Sequence, residues 1–315
     1  MKTVDLTSCQ PPSRQGKEPS VMALGFFDGV HIGHQRVIQT AKQIATEKRL
    51  KLSVMSFFPH PKEVLEGKTV SYLTPANVKE SIFGSMGVDT LYLVKFDLAL
   101  AKMSQAEFIR NYVVAAGAEH VVAGFDFTYG YRGSGNMQTI AQDGEGCFEV
   151  TEIPKAELFG QKISSTLIRE SLLQGNVQLV TACLGKYYET AGRISEVRTV
   201  GQRGQVIVQV VTMPYFTLPA SGLYEVLAEI GGAVSHGIAR RKEGSDVIEL
   251  KLKPVRDIVC HSPVSLKWVK PVSEFIFRRT LRMKKLEKGR PGGYSGDGFA
   301  SDYNADADFP GDRVR

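Results

Sequence analysis

The sequence predicts an α/β fold followed by a small antiparallel β-barrel. Three observations carry this. Strand-like apolar runs and helical periodicities alternate through the first 185 residues, the pattern of a parallel sheet with right-handed crossovers and helices on both faces. After Lys186 short β-branched runs appear instead, separated by turn residues. The chain has 315 residues, 43% hydrophobic and 23% charged, enough for two domains and a sizeable core. The expected division is residues 1–185, residues 186–286, and a disordered tail over 287–315, where Gly, Asp and Ser dominate.

The elements follow in order. Val21–Phe27 is a short apolar run of buried-strand type. His31–Arg49 is helical, with Val37, Ile38, Ala41, Ile44 and Ala45 on one face. Leu52–Phe58 is a strand. Pro75–Met86 is a helix with Pro at its start and Val78, Ile82, Phe83 and Met86 on one side. Asp89–Phe96 is a strand. Ser104–Ala116 is a helix opened by Ser104 with Glu107 three residues on, a capping-box pattern. His120–Phe127 and Phe148–Ile153 are strands, and Ser164–Gln174 is a helix. The barrel strands are expected at Tyr188–Val197, Gln205–Thr212, Gly222–Ile230, Ser235–Arg240, Asp246–Lys253 and Val264–Val272, with the boundary near Leu184–Tyr188. Phe275–Leu286 reads as a basic helix.

Composition removes several classes. No apolar run reaches the roughly 18 residues of a membrane span. Met1–Pro19 is polar and lacks the apolar centre of a secretory signal, so a cytoplasmic protein is expected. Cys9, Cys147, Cys183 and Cys260 stand far apart, without metal or redox spacing, and are expected as free thiols. The net charge of +6 suits polyanionic ligands but reads as ordinary solvated lysines rather than a nucleic-acid face.

The richest stretch is Gly25-Phe26-Phe27-Asp28-Gly29-Val30-His31-Ile32-Gly33-His34. It follows an apolar strand and opens a helix, so it aims backbone N–H groups and the helix dipole at an anion. Gly29 and Gly33 permit close approach of phosphate. His31 and His34, three apart, can face one side and donate to phosphate oxygens; capping or metal-binding histidines are the alternative. Ile163-Ser164-Ser165-Thr166-Leu167-Ile168-Arg169 also starts a helix, with three hydroxyls and a guanidinium. A plain N-cap with a solvated Arg is its bland reading.

These two pieces resemble the HIGH-motif nucleotidyltransferases, whose Rossmann-like domain carries both. Phe57-Phe58-Pro59-His60-Pro61 and Gly124-Phe125-Asp126-Phe127-Thr128-Tyr129-Gly130 add aromatic faces beside polar groups, which suits a flat heteroaromatic ligand. Together, the four segments resemble bacterial FAD synthetases, the bifunctional riboflavin kinase/FMN adenylyltransferases, over Val21 to about Tyr188. The resemblance implies AMP transfer from ATP to FMN with Mg²⁺ and release of pyrophosphate. It implies His31 and His34 at the triphosphate, and Ser165, Thr166 and Arg169 at its β/γ end. Gly25, Phe26, Phe27, Asp28, Gly29, Gly33 and Ser164 would complete the ATP site, with Asp28 structuring the loop or serving a metal. Asp126 would lie near the flavin phosphate or the metal. Phe58, Pro59, His60, Phe125, Phe127 and Tyr129 would border the flavin, His60 and Phe58 lying by either ATP or the ring. ATP and FMN are the implied partners. The metal ligands and oligomeric state are not implied.

In that family a riboflavin kinase barrel follows. Leu184-Gly185-Lys186-Tyr187-Tyr188 resembles the junction, and Pro219-Ala220-Ser221-Gly222-Leu223-Tyr224 resembles a later element. The Pro-Thr-Ala-Asn string that serves ATP and Mg²⁺ is missing; Arg198-Thr199-Val200-Gly201 stands in that region. The expectation is an FMN adenylyltransferase with a degenerate kinase barrel. The alternatives are a bifunctional enzyme with an atypical barrel and a flavin-binding regulator.

Overall fold

The computed structural model describes residues 1–13, 18–200, 205–252 and 258–273. Six parallel strands form the first sheet: β1 (Lys2–Leu6), β2 (Ser20–Leu24), β3 (Lys51–Phe58), β4 (Thr90–Lys95), β5 (Ala118–Gly124) and β6 (Glu149–Ile153). Their order is β1-β4-β3-β2-β5-β6, every neighbouring pair parallel. The chain leaves β2 toward β3 and β4, then returns to place β5 on the other side of β2. That reversal creates a crevice at the carboxyl ends of β2 and β5, where ligands of such sheets bind.

Strand β2 reads Ser-Val-Met-Ala-Leu and is buried throughout, as a strand covered on both faces must be. Helix α1 (Ile32–Lys48) packs Val37, Ile38, Ala41 and Ala45 on one face of the sheet with Val21, Ala23 and Val54. Burying a side chain such as Ile38 contributes about 1.5–3 kcal/mol. The opposite face holds Met22, Leu24, Met55, Phe108, Tyr112 and Ile140. Within the described residues the predicted strands and the helices expected at 31–49, 75–86 and 164–174 occur within a few residues of the expected bounds.

The helix expected over Ser104–Ala116 is divided. Its capping box forms, but α5 spans only Gln105–Phe108. Ile109–Val114 continues as a π-helical stretch, in which the hydrogen bonds reach one residue further, as from Ala115 N–H to Arg110 O. Strand β1 was not expected, because a five-residue edge strand alternating with lysine and aspartate carries little apolar signal. Also outside the sequence reading were α2 (Pro61–Glu66), α4 (Leu98–Lys102), α6 (Ile140–Asp143), α8 (Val177–Leu184) and the hairpin β7–β8 (Glu157–Leu158, Gln161–Lys162). Helices α3 (Ala76–Ser85) and α7 (Ser165–Leu173) stand where expected.

Helix α8 stops at Gly185, whose φ of +70° ends it in the left-handed region. The barrel is closed: β9 (Tyr188–Val200), β10 (Gln205–Thr212), β11 (Gly222–Ile230), β12 (Ala233–Arg241), β13 (Val247–Leu252) and β14 (Pro263–Pro271), in the order β10-β13-β12-β11-β14-β9. Closure removes exposed sheet edges. Val208, Val210, Val226, Ile248, Leu250, Leu266 and Trp268 are among the buried side chains of its interior, and Trp268 donates from its indole to Thr190 Oγ1 at 3.0 Å. This core runs on without a break into Leu172, Val180, Cys183 and Leu184 of α7 and α8. Met1–Val272 accordingly form one unit by internal contacts. The expected basic helix Phe275–Leu286, the tail over 287–315 and the β9–β10 connection at 201–204 lie outside the described residues.

Candidate active site

A cavity of about 700 Å³ opens at the carboxyl ends of the first sheet. Every strand from β2 to β6 contributes to its wall through the residues at or just past its end: Gly25, Phe57, Phe96, Gly124 and Ile153. The fold therefore supplies the position, and the loops supply the chemistry.

The loop between β2 and α1 is the most constrained part. Phe27 and Val30 have φ of +53° and +42°, a region costly for a β-branched or bulky side chain. Gly29 has φ +86°, and a Cβ there would stand 2.9 Å from Leu73 Cδ1. Such a loop persists because partners hold it. Asp28 is 1% exposed, and its carboxylate accepts from the N–H groups of Leu73 and Thr74 at 3.2 and 2.9 Å. It also pairs with the Arg169 guanidinium of α7. Gly29 N–H donates to Thr74 Oγ1 at 3.1 Å, and Ser165 Oγ donates to the Asp28 carbonyl at 2.8 Å.

His31 is the N-cap of α1; its Nδ1 accepts from His34 N–H at 3.3 Å. In the neutral ring that bond places the proton on Nε2. The two imidazoles stack at 3.6 Å between centroids and 18° between planes. Burial lowers His31 to about 4, against a weaker opposing pull from Asp126. Burial also holds His34 well below the ordinary imidazole value, reinforced by His31 and Lys79. His34 Nδ1 is buried without a hydrogen-bond partner among the described groups. At neutral pH the cradle thus presents uncharged donors at a helix N-terminus, which suits an anion that brings its own charge.

A stability consequence follows. The unfolded His31 binds protons below about 6.5 and the folded one only below about 4, so stability rises with pH across that interval. Acidification from pH 7 should therefore lower the melting temperature, His31 alone accounting for about 3 kcal/mol when the interval is crossed. Calorimetry on His31→Asn, which retains a capping oxygen, should show a shallower acid slope; an unchanged slope rejects this assignment.

The structure brings most of the sequence-selected residues to the cavity: Gly25, Phe26, Phe27, His31, Gly33, His34, Phe125, Asp126, Phe127, Tyr129, Ser164, Ser165 and Thr166. Asp28 and Gly29 belong to the loop but bond away from the cavity to Leu73 and Thr74, and Arg169 pairs with Asp28; none of the three lines the cavity. Ser164 caps α7, its Oγ accepting from Leu167 N–H at 3.1 Å. Asp126 is exposed and paired with Lys162 Nζ at 2.6 Å, and that ammonium lies 4.7 Å from the Phe125 ring centroid. Tyr129 is buried with its hydroxyl donated to Asp143, and its ring stacks on Phe127 at 5.8 Å. Phe58, Pro59 and His60 are not part of the cavity wall. His60 meets Phe26 edge-on at 4.9 Å, and Phe58 packs on Tyr72 at 5.6 Å.

Lys79 escaped the sequence reading. It sits on α3, is 3% exposed, and donates to Phe26 O at 2.7 Å. Its Nζ also lies 4.3 Å from the Phe26 ring centroid, and burial lowers it to about 8. Its spacing of four from buried Phe83 was the available signal. Lys162 and Arg132, both at the cavity, carried none beyond charge. Among the described residues no group of three or more His, Cys, Asp or Glu side chains is arranged to hold a metal. No helix there is long and apolar enough to cross a membrane.

Fold and site together define a nucleotide-handling α/β protein, with a glycine- and histidine-bearing helix N-terminus beside aromatic walls at the switch point of a parallel sheet. The family model for FAD synthetase matches residues 13–167. A Bacillus subtilis relative, a bifunctional riboflavin kinase/FMN adenylyltransferase, is 36% identical over 86% of this chain and 90% of its own length. A Listeria monocytogenes relative of the same description is 41% identical over 70% of this chain and 71% of its own. A crystal structure titled as a macrolide-efflux protein from Streptococcus pneumoniae matches with a TM-score of 0.78, covering 91% of this chain and 98% of that one. At 24% identity it shows a shared fold alone. The chain belongs to the FAD synthetase family.

Proposed function

We propose that this chain transfers the adenylyl group of ATP to the phosphate of FMN, giving FAD and pyrophosphate, and that it does not phosphorylate riboflavin. Residues 1–185 carry the transfer and the barrel from 186 onward has lost the kinase chemistry. The observation that carries the first part is the pairing, in one cavity, of the His31–His34 cradle with the aromatic wall of Phe125 and Phe127. It offers a polyphosphate and a flat ring adjoining places.

The chemistry needs no protein nucleophile. An FMN phosphate oxygen attacks the α-phosphorus of ATP, and the bond to the bridging oxygen of pyrophosphate breaks. Catalysis is then positioning and charge stabilisation. His31 Nε2–H and the α1 N-terminus face the charge that grows on the departing pyrophosphate. Thr166, exposed at the α7 N-terminus, and Lys162 supply further donors at the cavity. Mg²⁺ accompanying ATP would neutralise charge on the phosphates; among the described residues no carboxylate cluster would cage it, and Asp126, paired with Lys162, is the carboxylate of the cavity lining that would reach it.

Loss of the kinase activity is supported by sequence: no Pro-Thr-Ala-Asn string occurs anywhere in the chain. Chromatography of products after incubation with ATP and Mg²⁺ tests both parts. FAD from FMN, with nothing from riboflavin, is the expected result. FMN formed from riboflavin would reject the second part, and no FAD from FMN would reject the first.

A further inference from the structure

We propose that the barrel is a working part of the adenylylation site: its segment Tyr215–Thr217 is a positioning element that sets the phosphate loop through Ser71–Thr74. The proposal deepens the functional reading above and rests on it.

The argument starts from an accounting of backbone hydrogen bonds. Ser71–Thr74 belongs to neither a helix nor the main sheet, yet Tyr72, Leu73 and Thr74 are buried, so their N–H and C=O groups need partners. The barrel supplies those of Tyr72. Tyr72 N–H donates to Tyr215 O at 2.5 Å, and Thr217 N–H donates to Tyr72 O at 2.8 Å, a parallel bridge centred on Phe216. Thr217 Oγ1 adds a bond to Ser71 Oγ at 3.2 Å. Thr217 is itself fixed from the barrel core, its carbonyl accepting from the buried Tyr188 hydroxyl at 2.8 Å.

The other side of the same four residues carries the phosphate loop and the cluster around Phe26. Leu73 and Thr74 donate to Asp28, and Thr74 Oγ1 accepts from Gly29 N–H, two residues before His31. The Tyr72 hydroxyl accepts from His60 N–H at 2.8 Å and donates to Glu63, and its ring stacks on Phe26 at 6.4 Å. One extended stretch is therefore bonded to the barrel along one edge and to the phosphate loop and aromatic cluster along the other. Releasing the barrel edge would leave buried Tyr72 backbone groups unpaired, and the stretch would have to move to satisfy them. The phosphate loop holds Phe27 and Val30 at positive φ between two supports, this stretch on one side and Arg169 and Ser165 of α7 on the other, so loss of the first leaves it half-anchored. A barrel without kinase motifs thereby keeps a function: it holds the donors of the neighbouring site in register.

The test uses the full chain. Tyr188→Phe removes only the hydroxyl that holds Thr217, Thr217→Val removes the side-chain bond to Ser71, and Thr217→Ser retains it. FAD formation is measured per folded molecule, with amide hydrogen exchange at Gly29, Leu73 and Thr74. Tyr188→Phe and Thr217→Val should each lower kcat/KM for ATP by about tenfold, the scale of a small misplacement of catalytic groups. Both should speed exchange at those three amides, and Thr217→Ser should behave as the parent. Parental kinetics with unchanged exchange would overturn the proposal. A lower melting temperature with unchanged kinetics and local exchange would overturn it too. If the parent chain makes no FAD, the functional reading fails, and the exchange data still decide whether the barrel holds the loop.

Discussion

Replacing His31 by alanine should lower the turnover of FAD formation by on the order of 10²-fold, the loss typical of removing one donor to a developing negative charge. The expectation rests on charge state as much as on position. His31 is neutral at pH 7 because burial lowers it to about 4, and its Nδ1 already accepts from His34 N–H. Its Nε2–H is then left to donate to phosphate. Alanine also removes the α1 cap, worth about 1 kcal/mol of stability. His31→Asn separates the two effects, since asparagine caps well but does not reach as far. Steady-state kinetics on both variants should show the same loss of kcat with stability recovered only in the asparagine variant. Recovery of turnover in His31→Asn would mean that His31 serves the helix and not the reaction.

Asp28→Ala should produce the largest fall in stability. The carboxylate is buried, accepts from two backbone N–H groups and pairs with Arg169. Truncation leaves those groups without their partner, a loss of about 3 kcal/mol for a buried pair broken on one side. For a unit of this size that corresponds to a melting temperature lower by roughly 6–12 °C. Arg169 is partly exposed and recovers some hydration, so most of the loss falls on the Leu73 and Thr74 amides. Asp28→Asn keeps one acceptor oxygen and should lose less. A shift below about 2 °C for Asp28→Ala would show that the loop is held by other means.

The parallel sheet and the barrel were legible because each rests on a local pattern. Strand β2 is uniformly apolar because both its faces are covered, and α1 repeats its apolar face every three to four residues. Glycines at the strand–helix junction, followed by two histidines, announce an anion cradle for the same reason: the backbone conformation and the helix terminus are set within a few residues. The family resemblance rested on four such local segments. The short edge strand β1 and the brief helices α2 and α4 were not legible. Elements of five or six residues owe their existence to what they pack against.

Sequence alone determined the class of fold and singled out Gly25–His34 and the aromatic and hydroxyl segments, residues of which the folded chain brings to one cavity. Tertiary structure decided how those side chains divide their labour. Asp28 and Arg169 neutralise each other off the cavity wall, while His31 and His34 line the cavity. Lys79 is buried under Phe26, though a lysine on a helix ordinarily reads as solvated. The bridge from Thr217 to Tyr72 joins residues 145 positions apart, by the difference of their numbers. The physical reason is common to all three. Periodicity and turn chemistry act over a few residues and are written locally, whereas the partner of a buried charge or backbone group is chosen by whichever distant segment the folded chain brings within about 3 Å.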